Sequence, residues 1–91
     1  MFVIHYDTRE SVNSKEQIGE LMKLFGERGE IAGTVAHYVY PGGGGMVIVD
    51  TEDLEALYEA ALVYSPWLDL EVRPILNIDS GVSKIVGWLS G

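Results

Sequence analysis

His5 and His37 are the two histidines of this 91-residue sequence, which contains no cysteine. Imidazole titrates near neutral pH, so either residue can serve as a general base or as a hydrogen-bond partner for a ligand. The missing thiols exclude disulfides, iron–sulfur clusters, thiolate metal sites and cysteine nucleophiles. Both histidines fall in strand-like runs, His5 in Phe2-Val3-Ile4-His5-Tyr6 and His37 in the stretch from Ile31 to Tyr40. They can face one cavity if their parity agrees; the competing reading is a half-buried strand histidine bonded to backbone or water. Glu71 and Arg73 alternate along a later strand. A glutamate beside a histidine makes the imidazole more basic, and an arginine can hold a carboxylate by two parallel hydrogen bonds. The alternative for that pair is a surface ion pair of little energetic weight. Tyr38 and Trp67 offer aromatic surface to a ligand, although aromatics at such positions more often fill a core or an interface. The two histidines show no His-x-His, His-x-x-x-His or Glu-x-x-His spacing, so no metal site is expected, nor haem or any other cofactor.

The run Gly42-Gly43-Gly44-Gly45 could cradle a phosphate, but such loops lead into a helix whose N–H groups meet the anion. This one leads into Met46-Val47-Ile48-Val49, with no lysine following, and reads as a five-residue hairpin loop over Pro41 to Gly45.

The elements that must position these residues follow from periodicity. Residues 2–6 open with a strand. Ser14 and Gln17 have the spacing of a capping box, and Ile18, Leu21, Met22 and Phe25 recur on one helical face until Gly29 ends the helix. Residues 31–40 and 46–49 form two strands. The acidic segment Asp50-Thr51-Glu52-Asp53 caps a second helix carrying Leu54, Leu57, Tyr58 and Ala61, which stops at Ser65-Pro66. Leu68 to Arg73 alternates with period two, and Pro74 marks its far end as either unpaired or at an edge. The order β-α-β-β-α-β predicts an α+β, ferredoxin-like sandwich: a four-stranded antiparallel sheet with two helices on one face. It occupies residues 1–78. Residues 79–91 form a tail in which Ser80 can cap a short helix packing on the domain or on a partner.

Composition bounds the rest. The chain is 47% hydrophobic and 22% charged, too apolar for disorder, while its apolar runs are too short for a bilayer. Fourteen acidic residues against six basic ones give a net charge of −8, which opposes nucleic acid and anionic membranes as partners. The third strand lacks the basic-glycine-aromatic motif of RNA-binding ferredoxin-like domains. The N-terminal residues show neither a basic nor a long apolar signal region, so the cytoplasm is the expected location.

Met46 to Val49 and Phe2 to Ile4 are apolar at successive positions, so the helix-free sheet face is expected to carry apolar side chains that need a cover. The simplest cover is the same face of a second copy, giving a homodimer.

The segment from Gly43 through Met46-Val47-Ile48-Val49 and the acidic cap to Leu54, followed by Leu70-Glu71-Val72-Arg73-Pro74-Ile75-Leu76, resembles an uncharacterised family of small proteins of unknown function in the dimeric α/β-barrel superfamily. The shared features are paired glycines before a β run, an acidic cap before a helix, and a valine-then-proline pattern in the last strand. The resemblance covers roughly residues 1–78; His37 stands where the family pattern has a tryptophan. It implies subunits paired by their sheets, with a cavity between sheet and helices or between subunits. Superfamily relatives include muconolactone isomerases, cofactor-free monooxygenases, haem-using chlorite dismutase-like enzymes and stress-responsive proteins, so fold alone selects no reaction. The expectation is a dimer that binds a small, partly apolar molecule, with cofactor-free isomerase or monooxygenase-like chemistry through His5 or His37. The alternative is a non-catalytic sensor or stress-related dimer.

Overall fold

The structure, a computed structural model describing residues 1–91, is built on a central strand, β1 (Phe2–Thr8). Helix α1 (Lys15–Arg28) follows, and its first turn is closed by the expected capping box: Ser14 Oγ accepts from the Gln17 N–H at 3.2 Å, and Gln17 Oε1 accepts from the Ser14 N–H at 3.2 Å. Gly29, at φ 70°, ends the helix in a backbone conformation that side chains resist, with its N–H donating to the Phe25 carbonyl. Strand β2 (Thr34–Val39) starts later than the residue types predict, because Gly33 adopts φ 92° and bonds through its carbonyl to the Asp50 N–H.

Strand β3 (Gly45–Val49) returns across the glycine loop, where Gly43 and Gly44 hold φ of 98° and 79° and the Tyr40 N–H donates to the Gly44 carbonyl. The run therefore turns the chain, as its place before a strand predicts. Helix α2 (Leu54–Tyr64) is capped by the last of the four acidic-segment residues: Asp53 Oδ1 accepts from the Ala56 N–H at 3.0 Å. Strand β4 (Leu68–Pro74) and helix α3 (Ile78–Ser90) complete the chain. Asn77 rather than Ser80 caps α3; its Oδ1 accepts from the Ser80 N–H at 2.8 Å, so the helix begins earlier than its own serine predicts.

The strands form one four-stranded sheet in the order β2-β3-β1-β4, antiparallel throughout. This is the ferredoxin-like arrangement expected from the element order, with β2 and β4 at the edges. The register divides the side chains between two faces. Ile4, Val47 and Leu70 point to one, with buried Leu57 of α2 packed in the same cluster; Val3, His5, Met46, Ile48 and Glu71 fall on the other. Ile4, Val47, Val49 and Leu57 form the core cluster. That core is small, since only 9 of 91 residues are buried. Helix α3 shows why: Ile78, Trp88 and Leu89 are each at least 70% exposed, on a molecule measuring 56 × 25 × 18 Å.

Candidate functional site

Between the sheet and its two covering helices lies a cavity of about 420 Å³, within the range of natural small-molecule sites and open to solvent on the side where Ile18, Met22 and Val39 are exposed. Its walls are apolar over most of their extent, with Ile4, Val47 and Leu70 from the sheet facing Leu21, Phe25 and Leu57 from the helices. Neither lysine nor arginine lines it. The residues with polar side-chain groups that do are Thr8, His37, Tyr6 and Tyr64, the last with its hydroxyl itself out of reach of solvent.

Three residues are joined at this cavity. Tyr6 Oη lies 2.6 Å from His37 Nε2, and His37 Nδ1 lies 2.8 Å from Glu30 Oε1. An ionised carboxylate only accepts, so the neutral imidazole carries its hydrogen on Nδ1 and donates it to Glu30, leaving Nε2 to accept from the Tyr6 hydroxyl. The result is a carboxylate–imidazole–phenol chain from a partly exposed Glu30, through a His37 side chain that is 20% exposed, to a phenol at an open, apolar cleft. The rings of Tyr6 and Phe25 meet the imidazole edge-on, at centroid distances of 5.7 and 6.0 Å, and hold its plane. Burial first, then the Glu30 carboxylate, then Tyr40 push the Tyr6 pKa above 10.0, so its proton is firmly held at neutral pH.

Local structure places each member. A β-bulge interrupts β2 between Thr34 and Ala36, so Ala36 opposes Ile48 and His37 opposes Val47. Regular pairing from Thr34↔Val49 would instead set His37 opposite Met46, the residue that also opposes His5. The bulge therefore turns His37 toward the helices and separates the two histidines. Gly45 makes room for the phenol, because a Cβ there would collide with Tyr6 Oη and Cζ. Glu30 arrives from the turn after Gly29.

The residues singled out by sequence divide by face. His37 alone among them lines the cavity. His5 lies on the helix-free face, 3.5 Å from Tyr40 Oη and opposite Glu71 of β4. Glu71 and Arg73 pair with each other there, Arg73 Nε donating to Glu71 Oε1 at 2.8 Å. Tyr38, opposite Met46, is 58% exposed on that same face. Trp67 sits in the turn before β4, bonded through its backbone to Tyr64 and Arg9, outside the cavity wall. Sequence reasoning missed Tyr6 and Glu30. Tyr6 alternates with His5 in the same strand and was the one available signal; Glu30 lies in a turn, where no periodicity marks it.

Tyr64 differs from the other polar groups. Its hydroxyl is buried without a hydrogen-bond partner, and its pKa is raised chiefly by that burial, with Arg28 opposing and Glu30 adding to the effect. No helix of the protein is long and apolar enough to cross a membrane.

A family model described as Domain of unknown function (DUF3303) matches residues 1–87. The chain belongs to that family. No curated protein and no solved structure matches it.

Proposed function

We propose that this member of the DUF3303 family binds a small, largely apolar molecule in the sheet–helix cavity and moves a proton on it without a cofactor. The observation that carries this reading is the Glu30–His37–Tyr6 chain, with contacts of 2.8 and 2.6 Å, which ends at an open, apolar cleft. Tyr6 is the group that meets the ligand. As a ligand C–H or O–H gives its proton to Tyr6 Oη, the Tyr6 hydroxyl proton passes to His37 Nε2, and the resulting imidazolium lies against the Glu30 carboxylate. Reversal at a different ligand atom returns the proton and completes an isomerisation. The same deprotonation opens cofactor-free oxygenation, in which the ligand carbanion itself reduces O2.

The working unit of this proposal is a homodimer. A chain that buries 9 of 91 residues leaves most of its apolar surface unused, and the fold needs a cover that is present whenever the chain is. A second copy meets that need. The helix-free face carries both signs of charge, Arg73 beside Asp69 and Glu71, as a self-complementary two-fold contact requires. We place the protein in the cytoplasm, in keeping with a chain that holds together without cysteine.

The test uses 2-tetralone, a neutral bicyclic ketone with acidic protons next to its carbonyl. In D2O the protein accelerates exchange of those protons, followed by NMR, and Tyr6→Phe slows the catalysed exchange by about 10²- to 10⁴-fold. Saturable binding with no acceleration leaves the non-catalytic sensor as the reading; absence of both binding and exchange overturns it.

A further inference from the structure

We infer that the cleft selects a ligand bearing a neutral O–H group, a phenol or an enol, and that the oxygen of Tyr6 is the acceptor that recognises it. The inference rests on the proposed ligand role of the cavity and names its substrate class.

Glu30 sets the direction of every hydrogen in the chain. Its carboxylate only accepts, so the imidazole hydrogen sits on Nδ1, and the Tyr6 hydroxyl gives its single hydrogen to His37 Nε2, 2.6 Å away. What Tyr6 has left for a ligand is an oxygen that accepts and cannot donate. No group of the protein donates to that oxygen, so its acceptor capacity is unused. The other polar groups do not reverse this choice. The Tyr64 hydroxyl is out of reach of solvent. Thr8 and the backbone of Gly43 and Gly44 line the cleft with donors and acceptors alike, and so select neither. A neutral O–H seated at Tyr6 therefore gains a hydrogen bond that a carbonyl or ether oxygen in the same place cannot make, since there one lone pair meets another. An O–H also presents the proton that the chain is arranged to take: the oxygen that accepts the hydrogen bond is the first to receive the proton.

Isothermal titration at neutral pH with 2-naphthol, 2-methoxynaphthalene and 2-tetralone tests this. 2-Naphthol donates a hydrogen bond, whereas 2-methoxynaphthalene keeps the rings and the oxygen without the O–H. The wild type binds 2-naphthol about tenfold more tightly than either of the other two. Tyr6→Phe removes the acceptor, and 2-naphthol falls to the level of its methyl ether. His37→Phe keeps a ring and removes the nitrogens, which releases the Tyr6 hydroxyl to donate; 2-tetralone then gains about fivefold to tenfold. Circular dichroism and melting curves check that both variants fold, and if Tyr6→Phe does not, the wild-type ranking and the His37→Phe gain decide. Equal wild-type affinity for 2-naphthol and its methyl ether, a preference that survives Tyr6→Phe, or unchanged 2-tetralone affinity in His37→Phe overturns the acceptor role and leaves the cavity reading standing. Binding of none of the three to the wild type removes the cavity as a ligand site, and the acceptor role with it.

Discussion

Tyr6 and His5 are neighbours in the chain that serve opposite faces of the sheet, and strand alternation gives only one of them a cavity. Imidazole is the side chain suited to proton transfer near neutral pH, yet His5 looks away from the helices and the phenol beside it meets His37. Glu30 bonds to that imidazole and, in the proposed proton relay, balances the charge it gains. Glu30→Gln keeps an acceptor for the Nδ1 hydrogen and removes the negative charge, so the variant should fold normally and bind 2-tetralone unchanged, while the catalysed exchange falls about tenfold or more, read in the same NMR assay. The two phenols also set an alkaline limit. Tyr6 and Tyr64 both have folded-state pKa values raised above 10.0, so the folded protein holds these protons more tightly than the unfolded chain does. Below that value both states are protonated and stability is unaffected. As pH rises past it the unfolded chain ionises first, and stability falls until the folded-state values are passed. Urea unfolding midpoints measured at about pH 9 and about pH 11 should show this decline, and Tyr6→Phe with Tyr64→Phe should flatten it.

At the scale of elements, local chemistry was legible where a residue type has one physical use. Ser14 with Gln17 caps α1, Gly29 ends it, and the period-two run of β4 is an edge strand, because each signal depends on neighbours in sequence. Parity at His37 was not legible. It turns on the extra residue of the bulge between Thr34 and Ala36, and nothing in Thr34-Val35-Ala36 marks which residue the partner strand will skip. The glycine run was legible as a turn but not as a support for the site. Gly43 and Gly44 supply the positive φ, while Gly45, already in β3, is the glycine whose missing Cβ admits the Tyr6 ring. Gly45→Ala, whose Cβ would meet the Tyr38 backbone carbonyl as well as the phenol, should therefore shift the β2–β3 pairing, displace the phenol and abolish catalysed exchange, while Gly42→Ala, with open space around it, leaves exchange intact; circular dichroism on both separates displacement from unfolding. Ser14→Ala tests the cap alone and should cost about 1 kcal/mol in urea unfolding with no effect on exchange.

At the scale of the whole molecule, the requirement for a cover was visible in Met46 to Val49 and in the apolar tail, since side chains apolar on both faces of a strand cannot all reach one core. The structure sharpens that requirement through α3, whose Ile85, Trp88 and Leu89 are 59%, 79% and 70% exposed on a helix carrying only Asp79 and Lys84 as charged residues. In a two-fold dimer these side chains and the helix-free face around Ile48 provide the burial that the small core does not, at about 25 cal/mol per Å² of apolar surface removed from water. In the proposed dimer folding and association belong to one equilibrium, and the melting temperature should rise with protein concentration. Light scattering should give twice the chain mass at micromolar concentration. Ile48→Asp and Trp88→Asp place a carboxylate on the sheet face and on α3 respectively, and each should shift the mass toward one chain while lowering the melting temperature and weakening its dependence on concentration. Ile48 lies on the face away from the cavity, so ligand binding by any Ile48→Asp protein that remains folded should persist; loss of binding in step with dissociation would show instead that the partner copy completes the chamber. A wild-type mass of one chain at every concentration would overturn the dimer and leave α3 as an exposed apolar helix.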